Sequence, residues 1–383
     1  MAEEVDEVVG PKGRHDPERR AVRHGHESGE VTLGGRRVGI ERARVRTADG
    51  SAEVGLESYR HFADRDPLSR VVLERMLAGV STRRFPRTQE PVGAEVEQEA
   101  RSVSKSAVSR DFVTRTRENL EALMARRLDD VRLAVLMIDG IELKGRTNVV
   151  ALGVTTDGVK VPLGLWEGST ENAAVATALL SDLVDRGLDV EQGVLCVLDG
   201  AKALRKAVRD VLGVNTPVQR CGRHKERNVL DHLPERDRPA VKRRLRRAWA
   251  DSDHERAIDA LRLLAAELDR SHPGAAASLR EGMEETLTLT RLGIRGSLES
   301  TNPCESMIEC VRRSARNVKR WQSGDMALRW TAAGMLEAER QFRRIIGYRD
   351  LAKLAVAIER QLDHHQPSAD QTPTEEAAIV ATA

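Results

Sequence analysis

The sequence predicts an α/β fold: a mixed sheet with helices on its faces, interrupted by an all-helical stretch and preceded by a mainly helical region. Three observations predict it. The apolar runs LAVLMID (133–139), NVVALGV (148–154) and VKVPLGL (159–165) read as consecutive antiparallel strands, the last two separated by Thr155-Thr156-Asp157-Gly158. Helix and strand then alternate: an amphipathic TENAAVATALLSDLVDRG, a buried strand GVLCVLDG, a helix AKALRKAVRDVLG and a short strand TPVQR. From His224 to about Leu289 the chain is helical and charged, without a strand candidate.

Taken in order, residues 1–50 read as a loose charged arm leading into a β-hairpin, because GEVTLGGRRVGIERARVR alternates apolar and polar residues around Gly34-Gly35. Residues 51–130 read as helical. Val71, Leu73, Met76 and Leu77 carry a helix from Pro67 to about Ser81, a second runs from about Ala94 to Arg101, and a third starts at the cap Ser104. Two helices across a tight break suggest a helix-turn-helix. The sheet occupies 131–223, the helical insertion 224–298 and a second part of the sheet domain, also helical, 299–361. Residues 362–383 have the composition of a disordered tail.

Composition narrows the function. No apolar stretch approaches the roughly 20 residues of a bilayer span, which excludes membrane-spanning helices. Ten aromatic residues in 383 argue against repeated base stacking as a way of holding single strands. Cys196, Cys221, Cys304 and Cys310 form no disulfide framework, and MAEEVDEVVG lacks the features of a signal peptide, so a reducing cytoplasm is the expected compartment. The 62 basic and 60 acidic residues leave a net charge of only +2, but the balance is uneven. Gln219–Arg247 carries eleven Lys/Arg against four Asp/Glu, and Val311–Arg349 ten against three, about +7 each.

Three acids stand at the ends of elements. Asp139 closes LAVLMID and Asp199 closes VLCVLD; if those strands are parallel neighbours, both carboxylates reach one sheet edge. Close carboxylates repel unless they share a proton or a cation. Hard oxygen ligands point to Mg²⁺ or Mn²⁺. On pattern alone each Asp-Gly reads equally as a turn dipeptide. Asp157-Gly158, at hairpin distance between two strands, is read as a turn and assigned no chemistry. Glu305 follows Asn302-Pro303 as the acid of an Asn302-x-x-Glu305 capping box, and in isolation that role is favoured for it.

With IDGIELKGRTNVVALGVTTDGVKVPLGLWEGSTEN, VLCVLDGAKALRKAV, Cys221-Gly-Arg-His224, STNPCESMIECVRR and VKRW on the page, the chain resembles the Mutator-type transposases of bacterial insertion sequences from about residue 30 to 355. The resemblance implies a ribonuclease H-like catalytic domain with an Asp-Asp-Glu triad, matched by Asp139, Asp199 and Glu305, and an all-helical insertion before the Glu. It implies cleavage and strand transfer of double-stranded DNA, at terminal inverted repeats and in target DNA, with two Mg²⁺ or Mn²⁺ ions on the triad. It further implies a homodimer or higher oligomer in the cytoplasm, associated with the nucleoid. Resembling proteins often carry more helical sequence before this chain's first residue, which leaves a shortened N-terminus open. The alternatives are a non-catalytic DNA-binding repressor or domesticated relic, and a ribonuclease H-like nuclease or junction resolvase.

Cys221 and His224 make half of a zinc ligand set, so a structural role near the site is preferred to zinc. In the resembling family a Cys-x-x-His of this kind lies between the second Asp and the Glu. The expected phosphate contacts are Arg312, Arg313, Arg316, Lys319 and Arg320 on the helix begun by Glu305. Lys105, Ser106, Ser109 and Arg110, in the first turns of the second helix of the pair, are the expected contacts to base edges. Trp249 and Trp321 are read first as core residues, and as base-stacking groups second.

Overall fold

The structure, a computed structural model, describes residues 1–363 apart from 15, 17, 34, 35, 65, 92, 95–97, 99–103, 169–171, 295 and 296. It divides into two compact units, Met1–Glu121 with Val311–Arg320, and Ala122–Cys310 with the described chain from Trp321 onward.

In the first unit, α1 (Ala2–Val9) packs Val5 and Val9 with Ala21, Val45 and Leu56 in a small core. β1 (Ala21–Leu33) and β2 (Arg36–Thr47) form a long antiparallel hairpin, and β3 (Glu53–Val54) pairs with β2. The loose arm expected over residues 1–30 is therefore replaced by a helix and most of a strand. The first half of β1 is too polar to show alternation, and ionic pairs take the place of apolar contacts: Arg44 lies 3.4 Å from Glu27 and 3.0 Å from Glu53, and Arg42 pairs with Glu27. The expected turn at Gly34-Gly35 lies outside the described residues.

Next come α2 (Glu57–Ala63) and α3 (Asp66–Leu77). The latter stops before the predicted Ser81 because Gly79 turns the chain at φ 91°. α4 (Lys105–Ala125) starts where the sequence places it, with Ser104 Oγ accepting from Ala107 N at 3.1 Å. The expected helix over 94–101 and the break of the helix-turn-helix lie outside the described residues.

The second unit is built on a five-stranded sheet. β4 (Leu133–Glu142), β5 (Thr147–Thr155) and β6 (Lys160–Glu167) form an antiparallel meander; α5 (Ala173–Asp185), β7 (Leu195–Leu198), α6 (Lys202–Leu212) and β8 (Val218–Arg220) follow. The order is β6-β5-β4-β7-β8, with β7 parallel to β4 and β8 parallel to β7. All three predicted meander strands are present, and Asp157-Gly158 is the expected hairpin turn, with Gly158 at φ 87°. Because strand residues alternate faces, Leu136, Ile138, Cys196 and Leu198 pack on one side against Leu179 and Leu183 of α5 and Leu204 and Val208 of α6.

The insertion is all helical, as predicted: α7 (Gly222–Asp231), α8 (Arg238–Trp249), α9 (His254–Ser271), α10 (Pro273–Arg280), a 3₁₀ turn at Glu284–Leu287 and α11 (Thr288–Arg291). It has its own core, including Val229, Leu245, Leu261 and Leu264. The chain then forms α12 (Asn302–Ser314), α13 (Gly324–Gln341) and α14 (Leu351–Asp363). Asn148 of β5 donates its side-chain amide to Thr331 Oγ1 of α13 at 3.0 Å, both residues being buried.

One buried side chain ties sheet to insertion. Gln219 of β8 donates to Thr286 O at 2.9 Å and accepts from Leu289 N at 3.0 Å. Gln219→Leu should lower the unfolding free energy by about 2–4 kcal/mol, because each stranded buried polar group costs roughly 1–3 kcal/mol. Chemical denaturation measures it; a loss below about 0.5 kcal/mol, the range of ordinary surface changes, would show that the joint is dispensable.

Candidate active site

The parallel pairing of β4 with β7 decides where the acids fall. Its last register pair is Ile138 with Leu198, so the next residues, Asp139 and Asp199, follow side by side; Asp199 lies just past β7, but Asp139 does not close its strand as expected, since β4 continues to Glu142 against β5. Strands lie about 4.8 Å apart, and by alternation both acids follow residues buried on the α5/α6 side and so belong to the other face. Asp139 is 8% exposed and accepts from Gly140 N at 2.8 Å. Asp199 accepts from Ala201 N at 2.8 Å. The chain can turn from β7 into α6 there only through glycine: Gly200 sits at φ 105°, and a Cβ would meet Arg220 Nε at 2.2 Å.

Glu305 arrives from the other side of the insertion, in the first turn of α12. Burial, with smaller contributions from the charges of Asp199 and Glu305, pushes the Asp139 carboxyl up to about 6 against the opposing Gly140 amide and His224. The three acids predicted from the sequence are thus brought within electrostatic reach of one another.

The helix end that carries Glu305 departs from the predicted capping box. Asn302 Oδ1 is buried without a hydrogen-bond partner among the described residues. Thr301 precedes the helix instead, its carbonyl accepting from Glu305 N at 2.8 Å and its hydroxyl donating to Glu305 Oε1 at 3.1 Å. The same fully buried threonine donates its amide to Cys221 Sγ at 3.5 Å, with Oγ1 also 3.5 Å from the sulfur. His224 Nε2 is 3.9 Å from Glu305 Oε1. Contact with the Cys221 sulfur holds the His224 imidazole above its usual value despite burial, and Asp139 and Asp199 add to it. Cys221, His224 and Glu305 offer ligand atoms all within 4.8 Å of one another. Three ligands fall one short of a structural zinc set, and two of them are already engaged by Thr301.

A family model described as transposase, Mutator family, matches residues 1–344. The chain belongs to the Mutator family of transposases. It is 30% identical over 225 residues, 57% of this chain and 68% of the relative, to the transposase for insertion sequence element IS6120 of Mycolicibacterium smegmatis. To the transposase for IS256 in transposon Tn4001 of Staphylococcus aureus it is 28% identical over 83% of this chain and 81% of that one. The corresponding figures for the IS1081 transposase of Mycobacterium tuberculosis are 27%, 97% and 89%.

In this transposase the other predicted residues are distributed unevenly. Lys105, Ser106, Ser109 and Arg110 are all exposed in the first two turns of α4. Arg312 and Arg313 lie in the last turn of α12, but Arg316, Lys319 and Arg320 do not share it, because the helix stops at Ser314. Arg316 instead donates to Ala78 O at 3.4 Å, beside Asn317, which donates to Gly79 O. Much of the first basic stretch is internally paired: Arg246 and Lys242 bind Glu226, and Arg244 binds Glu267. Trp321 packs edge-to-face on Trp330 at 6.3 Å, and Trp249 donates its indole N–H to Thr286 Oγ1 at 3.1 Å. All four cysteines are free and buried. No described helix is long and apolar enough to cross a membrane. Thr301 escaped the sequence reading because a threonine before Asn-Pro is outcompeted on paper by the better-known cap.

Two outcomes test this geometry. Asp139→Asn should stabilise the protein assayed without divalent metal above pH 6, by about 1–3 kcal/mol, since the folded state disfavours the charged carboxylate, a cost that builds as pH rises from the free value to about 6 and is fully present above it. Thermal unfolding at pH 5 and pH 8 measures it, and a variant less stable than wild type at pH 8 would contradict the assignment. Thr301→Val should reduce Mn²⁺ affinity about tenfold and Thr301→Ser much less, as expected for loss of a group orienting a ligand; equal affinities by calorimetry would remove Thr301 from that role.

Proposed function

We propose that this transposase cleaves DNA at the ends of its insertion sequence and joins them to target DNA at the Asp139, Asp199 and Glu305 cluster. The observation carrying the reading is the side-by-side placement of Asp139 and Asp199 on parallel strands, with the Glu305 charge felt at Asp139. The strand order, with an antiparallel meander and two parallel strands split from α12 by helices, supports a ribonuclease H-like catalytic domain. The names of its relatives, transposases for insertion sequence elements, support the substrate.

Each residue has a part that follows from its setting. The main-chain N–H groups of Gly140 and Ala201 each occupy one oxygen of Asp139 and Asp199, leaving the second oxygen as the donor. Thr301 aims Glu305 from a buried position, and Cys221 fixes Thr301. Mg²⁺ or Mn²⁺, held by the three carboxylates, would supply charge neutralisation and activation of water or a 3′-hydroxyl at neutral pH. No protein nucleophile is required. Lys105, Ser106, Ser109 and Arg110 are assigned to the inverted repeats, and Arg312, Arg313, Arg316, Lys319 and Arg320 to phosphates. Two ends must be joined, so the working form is assigned as a dimer or larger assembly.

The test uses labelled element ends, supercoiled target DNA and Mg²⁺. Wild type should yield joined products; Asp139→Asn, Asp199→Asn and Glu305→Gln should each lose cleavage by at least a thousandfold while retaining end binding. Cuts without joining would identify a nuclease, binding alone a repressor, and a variant that still cuts would remove its residue from the cluster.

A further inference from the structure

A groove of about 800 Å³ in the second unit opens beside Gly200, next to Asp199, and runs along α6. Its α6 wall carries Lys202, Arg205, Lys206 and Arg209, spaced i, i+3, i+4, i+7 and therefore on one helix face. Their side chains are 90%, 66%, 59% and 59% exposed. Arg220 and Arg291 add to the same lining, which holds six cations against Glu281, Glu284 and Glu285. The opposite wall reaches across: Lys202 is 3.9 Å from Glu281 and Arg205 2.6 Å from Glu285. Lys206 and Arg209 pair with Asp210 of their own helix. The pairs with Glu281 and Asp210 are exposed, hence weak and screened by salt, and Arg205 keeps its side chain 66% exposed although Glu285 is largely covered, so a polyanion can compete with the carboxylates for the row.

We propose that the α6 face is a track for the phosphate backbone of duplex DNA leading to Asp199, with Glu281 and Glu285 as the counter-charges that DNA displaces. Lys202 to Arg209 spans about 10 Å of helix axis, which matches roughly three phosphates of one strand at about 3.4 Å each. The net charge of the groove, six positive against three negative, favours a polyanion over a small neutral ligand. The inference rests on the DNA-handling function proposed above, and it goes beyond it in assigning the surface next to the second acid.

The experiment measures binding of full-length protein to duplex DNA without divalent metal, as the dependence of log Kobs on log salt, with two probes: an element-end duplex and an unrelated duplex. Lys202→Ala with Arg205→Ala and Arg209→Ala should make the slope shallower by about 2 to 3, near 0.9 per phosphate contact removed. A change with the unrelated duplex alone identifies target DNA as the occupant, and a change with the element end identifies donor DNA. Glu281→Gln with Glu285→Gln should tighten binding at least threefold. An unchanged slope in a triple variant that melts like wild type overturns the track, as does weaker binding after removal of the two glutamates. Wild type that binds neither duplex overturns the functional reading as well, whereas a triad variant that still cleaves bears on that reading alone.

Discussion

The parallel hydrogen bonding of β4 to β7 is the constraint on which the rest of the structure depends. β4 is bonded on its other side to an antiparallel strand, so it is the line at which the sheet changes sense. β7 ends at Leu198, level with Ile138 inside the longer β4, and only a parallel partner can leave the sheet there and deliver a second carboxylate beside Asp139. A one-residue slip between them would turn Asp199 toward the α5 and α6 leucines and bring Leu198 out. The apolar residues Leu136, Ile138, Cys196 and Leu198 therefore hold the register that separates Asp139 and Asp199 from the core.

The third acid cannot be placed by the sheet, because the whole insertion lies between β8 and α12. Its return is fixed by polar contacts made in dry surroundings, where a missing partner is costly. Gln219 binds the end of the insertion to β8, and Cys221, one residue past β8, receives the Thr301 amide. Thr301 then reaches Glu305. Residues that begin the insertion thus meet residues that follow it, so the helical core between them can be large without loosening the site. Lys225, buried at the start of the insertion with its amine on Ser278 O and Glu281 O, belongs to the same closure; burial lowers it to about 8.

Sequence pattern carried the second unit well, and the reasons are local. The buried runs 133–138 and 195–198 are uniformly apolar, and each is broken by an acid where the pairing between β4 and β7 stops. Asp157-Gly158 was legible as a turn because a hairpin needs a short return between two apolar runs, and the chain supplies one there. The first half of β1 was illegible because its stability comes from pairing with β2 and from arginine–glutamate contacts across strands, neither of which leaves a period-two apolar trace. Thr301 and Gln219 were illegible for a different reason. Their importance comes from partners far away in the chain, Cys221 for one and Thr286 and Leu289 for the other.

Counting charges along the sequence proved a poor guide to which cations face a ligand. The basic stretch from Gln219 to Arg247 places Lys242, Arg244 and Arg246 on glutamates of its own helical bundle, where they link α7, α8 and α9. The α6 row, by contrast, sits in a segment with modest net charge and drew no notice, although its spacing confines four cations to one face. What distinguishes the two sets is the geometry of their partners. Glu226 is 13% exposed and held by Lys242 at 3.1 Å and Arg246 at 2.6 Å, whereas Glu281, 47% exposed and 3.4 Å from Arg220, meets Lys202 only at 3.9 Å across an open groove. A pair that closes a helix contact resists exchange, and a pair that spans solvent yields to any denser array of negative charge.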